Sequence, residues 1–169
     1  MPNSSRNSIA CLLLILLWGP AYQATAATPA RLLEKFPTTR LVVMPRNGPC
    51  VLFDVWVAAA PAERSRGLMF IESLEEYEGM LFIYQQPAQI AMWMKNTLIP
   101  LDMLFIRSDL SIATIAGNTV PLSEDSIYSG EDVQVVLELP GGSAERWNFQ
   151  PDDSVWLIDR QPSGPRITL

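Results

Sequence analysis

Beyond residue 38 the apolar residues of this chain fall in runs of only five to seven, rich in Val, Leu, Ile, Phe and Trp and cut by Pro, Gly and Asn. Runs this short cannot supply the apolar stripe of a long helix, but they suit buried or half-buried strands. Residues 40–44 and 51–57 flank Pro45-Arg46-Asn47-Gly48-Pro49, a turn-forming stretch that predicts a hairpin. Further strands are expected at residues 80–84, 90–95, 101–107, 111–116, 133–139 and 154–158. About eight strands joined by short links predict a mainly β fold, a compact sandwich or a partly closed barrel. Helical signal is confined to two or three short turns. Pro61 opens residues 62–66 with Gly67 as a stop, Ser73 and Glu76 have the spacing of a capping box, and residues 143–146 follow Gly141-Gly142.

The chain divides into three parts. Residues 1–26 read as a secretory signal peptide: Arg6 charges the start, residues 9–18 are apolar, and Ala24-Thr25-Ala26 offers small side chains before a cleavage point. An apolar run of that length falls short of the ~20 residues that a membrane-spanning helix needs. Cleavage after Ala26 is therefore expected, giving a periplasmic or secreted product with no stable membrane anchor. Cys11 lies at the start of the apolar run, whereas a lipidated cysteine would follow it. Residues 27–38 read as a flexible leader and 39–169 as a single domain. Cys50 is then the one cysteine left, and the apolar Val51-Leu52-Phe53 after it predicts a buried, unpaired thiol.

Charge and composition narrow the chemistry. Among 169 residues, 12 Lys and Arg face 18 Asp and Glu, a formal net charge of −6. With a pI near 4.6, no basic stripe exists to neutralise phosphates, which excludes nucleic-acid binding and polybasic membrane attachment. The chain has no His, so Ser-His-Asp, Cys-His and His-rich zinc chemistry are excluded as well. Glycine-rich phosphate loops, a G-x-S-x-G elbow, a D-x-D-x-D-G loop and an S-x-x-K pair are absent.

Polar residues within apolar surroundings are the remaining candidates. Lys95, Asn96 and Asp102 interrupt the apolar stretch 91–106, and buried polar groups need partners. Either they build a binding site, or Lys95 snorkels to solvent while Asn96 and Thr97 turn the chain and Asp102 caps backbone amides. A bend over residues 96–100, helped by Pro100, predicts that Lys95 and Asp102 are spatial neighbours. Met69, Met80, Met92, Met94 and Met103 could converge on Cu(I) through their thioethers or fill irregular gaps in a core. Glu72, Glu75, Glu76 and Glu78 could hold Ca²⁺, supply a glycosidase carboxylate pair, or form a solvated face. Trp56 and Trp93 fit a stacking platform for a sugar or peptide, or partly buried core.

Three ordered blocks, Glu63-Arg64-Ser65-Arg66-Gly67-Leu68-Met69-Phe70, Glu78-Gly79-Met80-Leu81-Phe82 and Trp93-Met94-Lys95-Asn96-Thr97-Leu98-Ile99-Pro100-Leu101-Asp102-Met103, resemble the signature segments of the DUF192 family, a domain of unknown function. Val136-Leu137-Glu138-Leu139-Pro140-Gly141-Gly142 is similar to a later strand-plus-glycine block, so the resemblance runs from about Leu41 to Ile158. It implies a compact, mainly β fold, often behind a signal peptide, and supplies no reaction or catalytic residues. Two departures stand out: Met92 where an aromatic residue precedes Trp93 in the family, and Gln150-Pro151-Asp152-Asp153 in place of a Gly-Asp turn.

These readings lead to an exported, non-catalytic ligand-binding or interaction module. Its site would be built around Arg66, Lys95, Asn96 and Asp102, and its partner would be a small molecule or a protein. No cofactor is assigned. One alternative is an enzyme using Lys95 as base or amine nucleophile, which requires desolvation of the amine; another is a methionine-based Cu(I)-binding protein.

Overall fold

In the computed structural model, which describes residues 33–158, the chain runs through β1 (Thr38–Met44), β2 (Val51–Ala58), α1 (Pro61–Arg66), β3 (Glu78–Met92), β4 (Leu101–Ile106), β5 (Ile112–Ala116), β6 (Ile127–Pro140), α2 (Ser143–Trp147) and β7 (Ser154–Ile158). Residues 1–26, expected to be a signal peptide, Cys11 among them, and the first part of the expected leader lie outside the described residues. Within the leader, Leu33 and Phe36 are buried against the domain.

The strands form one sheet in the order β5-β4-β6-β3-β2-β1-β7, curled into a half-barrel. Its outer members approach each other. Ser111 bridges to Ser154, and the Ile112 and Val155 amides donate to the Asp153 and Leu110 carbonyls at 2.9 and 2.8 Å. The expected β1–β2 hairpin is present, antiparallel with Leu41 opposite Phe53. β7 crosses over to pair with β1, Leu41 opposite Leu157.

Two expected strands are one. Residues 80–84 and 90–95 belong to the long β3, which ends at Met92. Gln85, Gln86 and Pro87 look like a break in the sequence, but they bulge out of the ladder with β6 between the pairs Ile83–Val135 and Ala88–Val133. A bulge is where a strand can accommodate proline without losing its partner. β2 and β3 pair in parallel, and a parallel pair cannot be closed by a tight turn. The nineteen residues 59–77 make that crossover, with α1 between Pro61 and Gly67 as expected. Ser73 and Glu76 cap no helix; the Glu75 amide donates to the Glu78 carboxylate at 3.0 Å in a simple turn.

Side chains alternate across each strand, so one face of the sheet fills the half-barrel and the other turns outward. Leu41, Val43, Phe53, Val55, Leu81, Leu104, Ile106, Val135, Leu137 and Val155 form the interior core. A second core lies on the outer face of β3, β4 and β6. There Met80, Phe82, Met103, Phe105 and Val136 are covered by Leu68 and Ile71 of the crossover and by Met94. The same alternation corrects the expectation for Cys50. Val51 and Phe53 point inward, so Leu52 and Asp54 point out, and Cys50 is exposed with them. Among the described residues no helix is long and apolar enough to cross a membrane.

Candidate functional site

Two segments cross the outer face and meet above the central strands. The first is the crossover carrying α1. Its opening is stabilised by Pro61, whose missing N–H costs nothing in a first turn, and by the Glu63 carboxylate, which accepts the Ala59 and Ala60 amides at 2.9 and 2.8 Å. Gly67 ends it at φ 44°. A Cβ there would lie 3.1 Å from the Phe82 ring, so glycine is needed both for the turn and for settling the crossover onto β3. The second segment, residues 93–100, joins β3 to β4. Asn96 fastens the two: it adopts φ 55°, a left-handed conformation that Asn tolerates. Its carbonyl accepts the Phe70 amide at 2.8 Å, and its Nδ2 lies 3.7 Å from Met69 Sδ.

Between these segments and the sheet is a cleft with about 270 Å³ of empty space, its open mouth included. Arg64, Arg66, Met69, Trp93 and Lys95 line it from the covering segments, and Phe82, Met92 and Glu138 from the sheet. Three cations are thus near the rim. Arg64 stacks over the Tyr84 ring at 4.8 Å and donates to the Ala59 and Ile83 carbonyls. Arg66 stacks over Phe70 at 5.4 Å and donates to the Met69 carbonyl. Lys95 lies 5.6 Å from the centre of the Trp93 ring and 3.3 Å from the Glu124 carboxylate, an exposed pair.

Glu138 is at the floor. It sits in β6 with Met80 of β3 on one side and Met103 of β4 on the other, and it is only 4% exposed. No side chain or amide among the described residues donates to its carboxyl, and burial pushes its pKa up to about 8. At neutral pH the group therefore retains its proton and can both donate and accept a hydrogen bond. Tyr84 is on the same face of β3, its hydroxyl 3.6 Å from Met92 Sδ. Burial raises the Tyr84 pKa, Arg64 opposes the rise, and the Glu138 charge adds to it.

Of the four residues expected at a site, Arg66 and Lys95 line the cleft and Asn96 clasps its two walls. Asp102 is elsewhere. It precedes Met103, which lies in the outer core, so it points into the half-barrel with Leu104. There its carboxylate accepts the amides of Asn118 (2.7 Å), Gly142 (3.0 Å) and Ala144 (2.7 Å). The expected Lys95–Asp102 pairing is corrected: Lys95 pairs with Glu124, and Asp102 caps α2, whose N-cap residue, Gly142, has no side chain. In the sequence Glu138 reads only as part of a strand. The available signal was a carboxyl inside Val133-Gln134-Val135-Val136-Leu137-Glu138-Leu139, a run apolar enough to be buried on both faces.

The methionines divide. Met80, Met94 and Met103 are buried in the outer core, Met94 Sδ taking the Thr119 hydroxyl at 3.1 Å, while Met69 and Met92 line the cleft. Among the described residues no three His, Cys, Asp or Glu side chains gather as a metal site. Glu72, Glu75 and Glu76 are exposed, Glu76 pairing with Arg146 at 2.8 Å. Trp56 packs on the outer core, whereas Trp93 is half exposed at the cleft. The turn at Gln150-Pro151-Asp152-Asp153 is held by Asp153, which accepts the Gln150 and Arg46 amides at 2.8 and 2.9 Å.

A curled β sheet with an apolar outer face, roofed by two loops that leave a small cleft over a buried acid, defines the class: a small, mainly β domain built from one sheet. The chain belongs to the DUF192 family, described as an uncharacterized ACR, whose model matches residues 42–157. A crystal structure from Sinorhizobium meliloti 1021, provisionally named a transcription regulator, is 39% identical; the match covers 72% of this chain and 95% of that one, with a TM-score of 0.71. A protein of unknown function from Novosphingobium aromaticivorans DSM 12444 is 35% identical, with 70% and 84% covered and a TM-score of 0.68. No curated protein matches the chain.

Proposed function

We propose that this protein is an exported, non-catalytic module that binds a small anionic ligand in the cleft beneath Arg66 and Lys95. One observation carries the reading: the Glu138 carboxyl, buried and without a protein partner, faces a cleft whose rim is cationic. Buried polar groups are ordinarily satisfied, and the Glu138 carboxyl, with no protein partner, has only the open cleft to supply one. Export rests on Arg6, the apolar residues 9–18 and Ala24-Thr25-Ala26. A lysine enzyme is less well supported, because the Lys95 ammonium is partly exposed and already paired with Glu124, the opposite of a desolvated nucleophile. A Cu(I) site is also less well supported, with three of the five candidate methionines committed to core packing.

The test is a two-dimensional NMR titration of the ¹⁵N-labelled protein with a panel of small anions, including acetate, benzoate and inorganic phosphate. Binding should shift the amides of residues 66–70 and 93–97 together, and Arg66→Ala should weaken it several-fold. If every anion in the panel leaves those amides unmoved at tens of millimolar, the reading fails.

A further inference from the structure

Resting on that reading, we infer that the ligand is a small monocarboxylate, seated so that one proton is shared between its carboxylate and Glu138 while Arg66 faces its outer oxygen. Three features select this class. First, the floor group is an acid rather than an amide or hydroxyl, and a carboxyl O–H is the strongest neutral donor a side chain offers to an anionic oxygen. Second, the charged groups that line the cleft besides Glu138 are Arg64, Arg66 and Lys95. An ammonium or guanidinium ligand would have to pass all three to reach one acid, whereas a monoanion is drawn in by them. Third, Leu68, Phe82 and Met92 give the cleft an apolar side. They suit a short hydrocarbon body, while Ser65 and Thr97, which also line the cleft, make phosphate the anion to compare it with.

Proton accounting follows from the neighbours of Glu138. α1 presents Arg64 and Arg66, the loop after β3 presents Lys95, β3 itself presents Tyr84, and β4 contributes Met103, which does not titrate. Tyr84 ionises above its ordinary value of 10.0, so it stays neutral while Glu138 titrates. Below pH 8 Glu138 already holds the proton and the ligand adds to it. Above that pH the site must take one proton from solvent for each carboxylate bound, and affinity falls about tenfold per pH unit.

The experiment measures propionate affinity by the same NMR titration from pH 6 to pH 9.5, for the wild type and for Glu138→Gln, with inorganic phosphate as the comparison anion. The expected result is an affinity that is level up to about pH 8 and then declines, and a Glu138→Gln variant that binds several-fold more weakly than wild type at pH 7, an amide N–H being the poorer donor, and shows a decline much smaller than the wild type's. Because Lys95 and Tyr84 are intact in both proteins, the difference between the two profiles belongs to Glu138. Parallel profiles for the two proteins would overturn the inference, and so would phosphate binding at the cleft where propionate does not, although that second result would leave the anion-binding module standing. No binding of any anion would remove both.

Discussion

Asp102 and Glu138 are buried acids on adjacent strands, and each faces the side of the sheet that the other does not. Asp102 has three backbone N–H donors around it, in the loop after β5 and at the start of α2. Removing the carboxylate would leave all three part-buried donors without their acceptor, and each unsatisfied donor costs ~1–3 kcal/mol. Asp102→Ala should therefore destabilise the domain by roughly 3–5 kcal/mol in urea unfolding. Lys95→Ala should cost no more than about 1 kcal/mol, since its partner Glu124 is exposed and solvent screens the pair. The two changes act on opposite faces, so a double-mutant cycle should be additive within ~0.5 kcal/mol. A coupling energy clearly above that would mean that the two side chains meet after all.

At the scale of elements, β3 does the most to build the site. It pairs in parallel with β2 and antiparallel with β6, and it carries Phe82 and Met92 to the cleft. Its approach to β6 depends on Gly79, where a Cβ would lie 2.5 Å from the Glu138 carbonyl oxygen and 2.9 Å from a Leu139 methyl group. Neither strand can yield without breaking its ladder. Gly79→Ala should thus cost ~1–3 kcal/mol through overpacking, whereas Gly117→Ala, whose Cβ would meet only Asp102 Oδ1 at 3.7 Å, should fall within about 1 kcal/mol of the wild type. Equal effects from the two substitutions, by chemical denaturation, would show that the β3–β6 seam is looser than its geometry.

For the whole molecule, Glu138 links folding to pH. Its carboxyl titrates near 8 in the folded protein, against an ordinary value of 4.5. Between those values the folded state holds a proton that the unfolded state has released, so stability falls as pH rises, by at most ~1.4 kcal/mol per unit. Below pH 4.5 both states hold the proton, above 8 both have lost it, and the dependence from this group disappears. Glu138→Gln has no such proton to lose. Its melting temperature should match that of the wild type near pH 4.5, exceed it increasingly toward pH 8 and keep a constant lead beyond. A lead that does not grow across that window would place the Glu138 carboxylate in contact with water or a cation.

Local features were legible in the sequence. Runs of five to seven apolar residues defined most strands, Pro61 and Gly67 bracketed α1, and Gly141-Gly142 announced α2, because turn chemistry and strand-length burial act within a few residues. Arg66 and Lys95 were legible as site candidates for the same reason, as charges set in segments otherwise headed for burial. What depended on distant parts of the chain was not. That β2 and β3 are parallel, that Gln85-Gln86-Pro87 is a bulge within one strand, and that Lys95 pairs with Glu124 all follow from which strands become neighbours. Glu138 depended on tertiary structure most. Its neighbours along the strand reveal only that it is buried; whether a buried carboxyl is capped like Asp102 or left facing a cleft depends on the loops that cross above it, and those arrive from segments tens of residues away.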